Sequence, residues 1–336
     1  MIFVTGASRS GTTMLSRVLG RHSRVLGLRE LHYFGDLCSP DTLTDPITKQ
    51  WGEALAATLL ARQRTPFWAA SPSNDDNTKA AKLIACSRKP ITAATVYAEV
   101  LHQLAVDANK CESCEQTPRY IFYAETLLRA YTSARIIYLV RDPRAVLASQ
   151  KNRWRLRSLG TRQMPMREVV RTWINYHPLT MTKLWMSANE RALRLVQHPR
   201  FKILRFEDLV SDAECEISRL CDFLNISFEP DMLDVPQWTS SHGTSDAYGI
   251  SKEVVDKWRS VLKRGELAIC ETMACQLMQR FGYSPTQIPN RRVYMVPQFL
   301  KYPIHVAGAA LVNPRRAWIH FHALAKARIK KSTDQE

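Results

Sequence analysis

The sequence predicts an α/β fold in which a parallel β-sheet is covered by helices on both faces. Three observations predict this class. Short apolar runs of β type alternate with helix-like segments along the chain. A glycine-bearing turn at 6–11 joins the first run to a helix. A later run, 135–140, is apolar almost throughout, as expected for a strand buried on both faces, and Pro143 follows it at the first position of a helix.

The individual elements follow from the same patterns, in chain order. Each predicted strand is a short run rich in aliphatic, aromatic or β-branched residues, and each predicted helix is a longer stretch with fewer turn residues. The predicted strands are 2–5, 25–28, 111–115, 135–140 and 201–206. The predicted helices are 12–21, 47–63, 92–107, 122–131, a helix starting at 143, 166–195, 212–224, 253–262 and 265–280.

Two segments depart from this alternation. Residues 37–110 form a helical insertion, in which the turn-rich stretch 70–77 separates two helices. From about residue 286 the chain contains four prolines and then a helix-like, basic segment. The sequence therefore predicts one domain over residues 1–285, which is large enough to contain an active site, and a basic C-terminal extension over residues 286–336.

Composition limits the protein class. With 336 residues, 45% of them hydrophobic, the chain can bury a full core. It has no apolar run long enough to cross a bilayer, and the first strand begins at residue 2 where a signal peptide would stand, so we expect a cytoplasmic protein. The eight cysteines are then expected to be thiols. Cys111 and Cys114 form a CxxC pair without a second pair, and we predict no metal site.

The net charge of +16 is unevenly distributed. No acidic residue occurs from Thr286 to Thr333, and a second basic run includes Lys151, Arg153, Arg155, Arg157 and Arg162. Such regions attract polyanions, namely anionic lipid, acidic glycan or nucleic acid, or they are solvated basic surfaces that keep the protein soluble. We expect no nucleic-acid partner. The tail segment 314–331 has an aromatic stripe. It either contacts a membrane surface peripherally or packs that stripe on the core, with only the charges exposed.

The turn after the first strand resembles a phosphate-binding loop. Residues 6–13 are Gly-Ala-Ser-Arg-Ser-Gly-Thr-Thr. A strand, a glycine turn and a helix N-terminus together present backbone N–H groups and a positive dipole end to an anion. The ATP-binding version ends in Gly-Lys-Ser/Thr, whereas here Thr12 follows Gly11 and the cation, Arg9, lies upstream. This arrangement suits a donor whose reactive group is attached to a single 5′-phosphate.

Two further segments follow predicted strands, 30–34 and 141–149. The carboxyl ends of parallel strands meet at one edge of the sheet, so we expect both to converge on the loop. Arg141 and Ser149 could hold a second phosphate, because arginine supplies a charged fork and serine a hydroxyl donor. A ligand with two separate phosphates on one adenosine fits two such positions.

These residues carry a resemblance to sulfotransferases that use 3′-phosphoadenosine 5′-phosphosulfate (PAPS). The loop resembles the family's 5′-phosphosulfate loop, 139–149 its 3′-phosphate segment, and 204–210 its later strand–helix unit; the likeness covers about residues 2–284. It implies a P-loop-like fold that binds PAPS and releases adenosine 3′,5′-bisphosphate. The donor-binding residues that it implies are Ser8, Arg9, Ser10, Gly11, Thr12, Thr13, Arg141 and Ser149.

Glu30 is the candidate catalytic base. Glu-Leu-His-Tyr-Phe at 30–34 is similar to the Glu-x-His-Phe-Phe stretch of carbohydrate sulfotransferases, in which that Glu is the base. An attacking hydroxyl must lose its proton, and a carboxylate within hydrogen-bond reach can accept it. Alternatively, Glu30 pairs with a cation and only shapes the site, and His32 is a second, weaker candidate. Gln116 stands where the family usually has a lysine near the acceptor.

The sequence thus predicts transfer of a sulfuryl group from PAPS to a hydroxyl of a carbohydrate, lipid or small molecule. Glu30 is the predicted base, and Arg9 stabilises charge on the transferred group. Two alternatives stay open at this stage. A P-loop kinase shares the loop geometry but needs the lysine that this loop lacks, and a non-catalytic protein could bind membranes or polyanions through the basic tail.

Overall fold

A computed structural model describes residues 1–87, 89–154, 165–239, 243–248 and 255–314. The strands in these ranges are β1 (Ile2–Gly6), β2 (Val25–Gly27), β3 (Glu112–Glu115), β4 (Arg135–Val140), β5 (Phe201–Arg205), β6 (Pro236–Thr239) and β7 (Gly243–Tyr248). The α-helices are α1 (Thr12–Arg21), α2 (Lys49–Arg64), α3 (Asn74–Cys86), α4 (Ala93–Asp107), α5 (Ala124–Ala130), α6 (Pro143–Lys151), α7 (Met166–Ile174), α8 (Pro178–Arg194), α9 (Phe206–Ser211), α10 (Ala213–Leu224), α11 (Trp258–Val261), α12 (Arg264–Arg280) and α13 (Arg291–Val312).

Five of the strands form one parallel sheet in the order β2-β3-β1-β4-β5. β1 lies in the centre, with β3 on one side and β4 on the other. β6 and β7 pair separately as a two-stranded sheet. Because all five strands of the main sheet run in the same direction, their carboxyl ends lie at one edge, where the loops that follow β1, β2, β3, β4 and β5 begin.

Helices cover both faces of the sheet because side chains alternate along each strand. On β1, Ile2 and Val4 belong to a buried cluster that includes Leu15 of α1 and Leu220 of α10. The intervening Phe3 points to the other face, where its ring stacks on a tyrosine of α4, Tyr97, at 6.4 Å. The predicted α/β class, with helices on both faces of a parallel sheet, is confirmed.

The chain divides into two compact units. The first contains residues 1–142, 185–238 and 244–255, including the five-stranded sheet. The second contains residues 143–184, 239–243 and from 256 onward. The predicted boundary between residues 285 and 286 stays a prediction.

The second unit is organised around a buried ion pair. Arg144 of α6 donates through Nη1 to Glu271 Oε1 of α12 at 3.1 Å, and its guanidinium lies 4.3 Å from the centroid of the Trp258 ring. Glu271 is fully buried, and an unpaired charge at such a position is costly, so its carboxylate depends on partners of this kind. Trp258 also packs against Ala145 and Ala148.

Several predicted elements agree closely with the structure. The helix at 12–21, the strand at 135–140 and the helix start at Pro143 have the predicted bounds. One expectation was wrong, because the turn-rich stretch 70–77 contains the start of α3. Ser73 caps this helix: its Oγ accepts from Asp76 N at 3.2 Å, and Asp76 Oδ2 accepts from Ser73 N at 2.8 Å. Reciprocal bonds of this kind make Ser-Asn-Asp-Asp a helix start.

The C-terminal extension begins with a helix that the sequence did not predict. Pro297 and Pro303 both lie inside α13, which continues to Val312. Each proline removes one backbone donor, but the helix packs closely on α12, where a Cβ on Gly265 would lie 2.5 Å from the Tyr294 carbonyl oxygen.

Other expectations fall on parts of the chain that the structure does not describe. These are the tail helix from residue 315 onward and three members of the second basic run, Arg155, Arg157 and Arg162. Among the helices in the described ranges, none combines the length and the apolar character that crossing a bilayer requires.

Candidate active site

The loop between β1 and α1 depends on two glycines. A Cβ on Gly6 would lie 2.7 Å from the Leu139 carbonyl oxygen of β4. Gly11 has φ 101°, in the left-handed region, and a Cβ there would lie 2.7 Å from the Phe206 ring. Both positions therefore require glycine, and Gly11 is the N-cap at which the chain turns into α1.

The N-terminus of α1 can receive an anion. Its N-cap makes no side-chain capping bond, and its first turn contains no acidic residue. The first N–H groups of a helix have no acceptor inside the helix, so Thr12 and Thr13 lie where such donors point outward. Ser10 is fully buried, and its Oγ has no hydrogen-bond partner within the described part of the chain. A phosphate or sulfate oxygen would satisfy this hydroxyl and complement the helix dipole.

Two of the predicted donor-site residues lie in contact. Arg141, directly after β4, donates through Nη1 to the Arg9 carbonyl oxygen at 3.1 Å. Its guanidinium carbon lies 4.2 Å from the centroid of the Phe206 ring, and its own carbonyl oxygen accepts from Trp185 Nε1 at 2.9 Å. The Arg141 guanidinium therefore lies against the loop. Arg9 itself has φ 79°.

Phe206 and Trp185 were not predicted as site residues. Phe206 contacts both Gly11 and Arg141, so it forms a common wall for the loop and the guanidinium. It follows β5, the neighbour of β4, and the rule that parallel strand ends converge was the signal that could have identified it. Ser149, the remaining predicted phosphate ligand, is half-buried on the second turn of α6 in the second compact unit.

Glu30 and His32 form a pair in the segment that directly follows β2. Glu30 Oε2 lies 2.9 Å from His32 Nε2, and the Glu30 side chain is 35% exposed. His32 has φ 47°, its backbone N–H donates to Thr117 Oγ1 at 3.3 Å, and its ring lies 4.1 Å from that of Phe67. Glu30 thus pairs with a neighbouring imidazole. The carboxylate is both oriented and accessible.

A second carboxyl group, Glu115, lies directly beneath this pair and was not predicted. It is fully buried at the end of β3 and accepts hydrogen bonds from Leu31 N at 2.9 Å, Thr117 N at 3.1 Å and Thr117 Oγ1 at 2.6 Å. Burial, together with a smaller effect of the nearby Glu30 carboxylate, raises the pKa of Glu115 to about 8 against the lowering effect of these bonds. Glu115 thus holds both the 30–32 segment and the start of the 117 turn.

Gln116 connects this network to the phosphate-binding loop. Its Oε1 accepts from Thr13 Oγ1 at 3.2 Å, and its side chain is buried. Residues 115–117 therefore contact the start of α1 through Gln116 and the 30–32 segment through Glu115 and Thr117. The structure brings the predicted base and the predicted loop to the same end of β3. In the described ranges, no group of three or more His, Cys, Asp or Glu side chains is arranged to hold a metal ion.

The sequence profile of the Sulfotransferase family matches residues 2–230, which contain the loop, Glu30, Gln116 and Arg141. The chain belongs to the sulfotransferase family. Rat sulfotransferase 2A1 is 31% identical over 104 residues, and mouse sulfotransferase 2A6 is 32% identical over 114 residues. Each match covers 31% of this chain and 36% of the relative, so the chain aligns with about a third of the length of these curated sulfotransferases.

Solved sulfotransferase structures share the fold. The sulfotransferase domain from the curacin biosynthetic pathway is 22% identical, with a TM-score of 0.52 over 85% of this chain and 98% of that domain. The sulfotransferase domain of the Synechococcus PCC 7002 olefin synthase is 21% identical, with a TM-score of 0.53 over 84% of this chain and 94% of that domain. The chain therefore has the P-loop-like α/β fold of sulfotransferases.

The raised pKa of Glu115 predicts a pH-dependent stability. Between its ordinary value of 4.5 and about 8, the folded protein holds a proton on Glu115 that the unfolded chain has lost, so stability falls as the pH rises through this window. Glu115→Gln removes this titrating carboxyl group and, with it, the pH dependence that it causes. We expect the free energy of unfolding of wild type, minus that of the variant, to fall by a few kcal/mol between about pH 5 and pH 8.

Urea unfolding at several pH values measures this difference in the free energy of unfolding. The contributions of the other titrating groups cancel, because they are the same in wild type and variant. The exposed Glu214→Gln on α10 is the matched control and should give a difference that does not change with pH. A pH-independent difference for Glu115→Gln as well would show that Glu115 ionises normally in the folded protein.

Proposed function

We propose that this protein is a PAPS-dependent sulfotransferase that transfers a sulfuryl group to a hydroxyl of a carbohydrate, lipid or small molecule. The observation that carries the proposal is the loop between β1 and α1. It combines an uncapped helix N-terminus with a buried Ser10 hydroxyl that has no hydrogen-bond partner within the described residues. At its edge, the Arg141 guanidinium donates to the Arg9 carbonyl oxygen. The family membership and the sulfotransferase activity named for the rat and mouse relatives support the same chemistry.

The residues present fit a donor that carries a phosphosulfate and a second phosphate. Ser8, Ser10, Thr12 and Thr13, together with the loop N–H groups, would hold the 5′-phosphosulfate. A side chain at Gly11 would meet the Phe206 ring, so the glycine keeps the loop in this anion-binding turn. Arg141 and Ser149 would contact the 3′-phosphate. The loop lacks the lysine that a kinase uses at its β- and γ-phosphates, which favours this donor over ATP.

Glu30 would act as the general base. As the acceptor oxygen forms its bond to sulfur, the bond from sulfur to the 5′-phosphate oxygen breaks, and the acceptor proton passes to a Glu30 oxygen. The donor supplies the sulfuryl group, and adenosine 3′,5′-bisphosphate leaves with the electron pair of the broken bond. Arg9 and the α1 dipole stabilise the negative charge that develops on that phosphate. His32 Nε2, 2.9 Å from Glu30 Oε2, orients the carboxylate.

Donor binding is tested with adenosine 3′,5′-bisphosphate. Arg9→Ala and Arg141→Ala each remove a charged phosphate contact, worth about 1.5–3 kcal/mol, so we expect about 10- to 150-fold weaker binding by calorimetry. Arg219→Ala, an exposed arginine of α10 that pairs with Glu216, is the control and should bind like wild type.

Thermal shift separates the two nucleotide classes in the same preparations. The bisphosphate should raise the melting temperature of wild type and Arg219→Ala, whereas Mg-ATP should not. Stabilisation by Mg-ATP alone would favour a kinase. Unchanged affinity of Arg9→Ala and Arg141→Ala for adenosine 3′,5′-bisphosphate would overturn the donor-site assignment.

Catalysis is tested at Glu30. Glu30→Gln preserves size and one acceptor oxygen, so the fold and bisphosphate affinity should be retained while turnover falls about 10²–10⁴-fold. The measurement is transfer of labelled sulfate from PAPS to hydroxyl acceptors found by screening, with Glu214→Gln as the control. Near-normal turnover of Glu30→Gln, with a large loss in His32→Asn, would move the base to the imidazole.

A further inference from the structure

Helix α13 exposes an apolar surface that the site described above does not use. No residue of its 22 is fully buried, yet most of its exposed side chains are apolar. Leu300 is 72% exposed, Ile304 75% and Leu311 81%. Surface helices of soluble proteins present charged residues to water instead. The large exposed apolar side chains are Val293, Val296, Phe299, Leu300, Ile304, Val306 and Leu311.

The most exposed of these residues form one stripe. At 3.6 residues per turn, Val293, Leu300, Ile304 and Leu311 lie within about 40° of one another around the helix axis. Their exposed fractions run from 67% to 81%. The stripe extends along nearly the whole helix, about 30 Å, and no charged residue interrupts it.

Contacts on the opposite side fix the orientation of this stripe. His305 Nε2 lies 3.4 Å from Thr180 Oγ1 of α8, and a Cβ on Gly308 would lie 3.3 Å from Ile174 of α7. Asn313 Nδ2 donates to Asn175 Oδ1 at 2.9 Å. The helix is therefore docked through its more polar and small residues, and its apolar stripe points away from its neighbours.

Helix α7, which packs against α13, has the same character. Met166, Val170 and Trp173 lie on one face of it and are 58%, 45% and 62% exposed. Two adjoining helices of the second unit thus expose apolar side chains. One of these side chains is Trp173, and tryptophan is enriched at membrane–water interfaces. Large exposed apolar patches mark contact sites for proteins or membranes.

The charges around the stripe select the occupant. Arg292 lies in the first turn of α13, Lys301 lies near its middle, and no acidic residue occurs from Thr286 to Thr333. A second copy placed on this face would bring these cations towards their own equivalents, which is unfavourable. An anionic lipid surface offers hydrocarbon to the stripe and phosphate groups to the flanking cations.

We propose that the exposed apolar faces of α13 and α7 dock the protein on an anionic lipid membrane, with α13 lying in the plane of the interface. The apolar side chains enter the headgroup boundary, and Arg292 and Lys301 contact anionic headgroups. The proposal concerns residues other than the predicted tail segment and is independent of the proposed sulfotransferase activity.

Vesicle co-sedimentation of the full chain tests it. Wild type should bind vesicles that contain phosphatidylglycerol, bind pure phosphatidylcholine vesicles weakly, and be released by high salt. The double variant Leu300→Gln/Ile304→Gln, which keeps the whole tail, should lose at least about tenfold in affinity, because two apolar anchors no longer enter the lipid. Val106→Gln on α4, another exposed apolar position, is the matched control and should bind like wild type.

Charge variants give a second, graded readout. Arg292→Gln and Lys301→Gln should each weaken binding about fivefold, since a basic residue near an anionic surface contributes about 1 kcal/mol. All of these side chains are exposed, so melting temperatures should stay unchanged; if the apolar double variant misfolds, the charge variants decide.

Three results would overturn the proposal. The first is unaltered vesicle binding by Leu300→Gln/Ile304→Gln, which would assign the binding to the tail. The second is an absence of binding, or equal binding to neutral and anionic vesicles. The third is a concentration-dependent dimer, seen by analytical ultracentrifugation and lost in the double variant, which would make a second copy the occupant of the stripe.

Discussion

The central position of β1 in the parallel sheet determines most of the candidate active site. β1 is hydrogen-bonded to β3 and β4, and its register with β4 places Gly6 opposite Leu139. Only a residue without a side chain fits there, because the Leu139 carbonyl oxygen occupies the space of a Cβ. β1 ends at Gly6, and the turn that follows presents Arg9, Ser10 and the N-terminus of α1 at the carboxyl edge of the sheet.

The neighbouring strands bring in the other groups by the same constraint. β4 ends beside the loop and supplies Arg141, while β5 ends beside β4 and supplies the aromatic ring of Phe206 on which that guanidinium lies. On the other side of β1, β3 ends in Glu115 and Gln116. Parallel strands thus bring the Arg141 guanidinium to one side of the loop and the side chains of Glu115 and Gln116 to the other.

The two carboxyl groups near the end of β3 have different environments and different uses. Glu30 is partly exposed and paired with an imidazole. Glu115 is fully buried, and desolvation raises its pKa to about 8 while it anchors the backbone of the segment that carries Glu30. The buried acid thus holds in place the segment that carries the proposed base. The exposed face of α13 has a separate cause: the opposite side of this helix contacts α7 and α8, so its apolar face is left exposed.

The sequence by itself determined the local elements that depend on nearby residues. The glycine turn at 6–11, the buried strand at 135–140 and the helix start at Pro143 follow from short-range rules of backbone geometry and burial. The same rules failed at Ser73, where a capping box was taken for a turn, and they did not predict α13, which contains Pro297 and Pro303. In each case the deciding partner was a bond or a surface that propensity does not measure.

Only the tertiary structure decided which distant residues meet. Phe206 contacts Arg141, Gln116 contacts Thr13, and Glu115 accepts from Leu31 N, all between segments far apart in the chain that strand pairing brings together. It also decided which face of α13 remains in water. Pattern gives the apolar stripe of a helix, but whether that stripe is buried depends on which of its sides the rest of the chain has already covered.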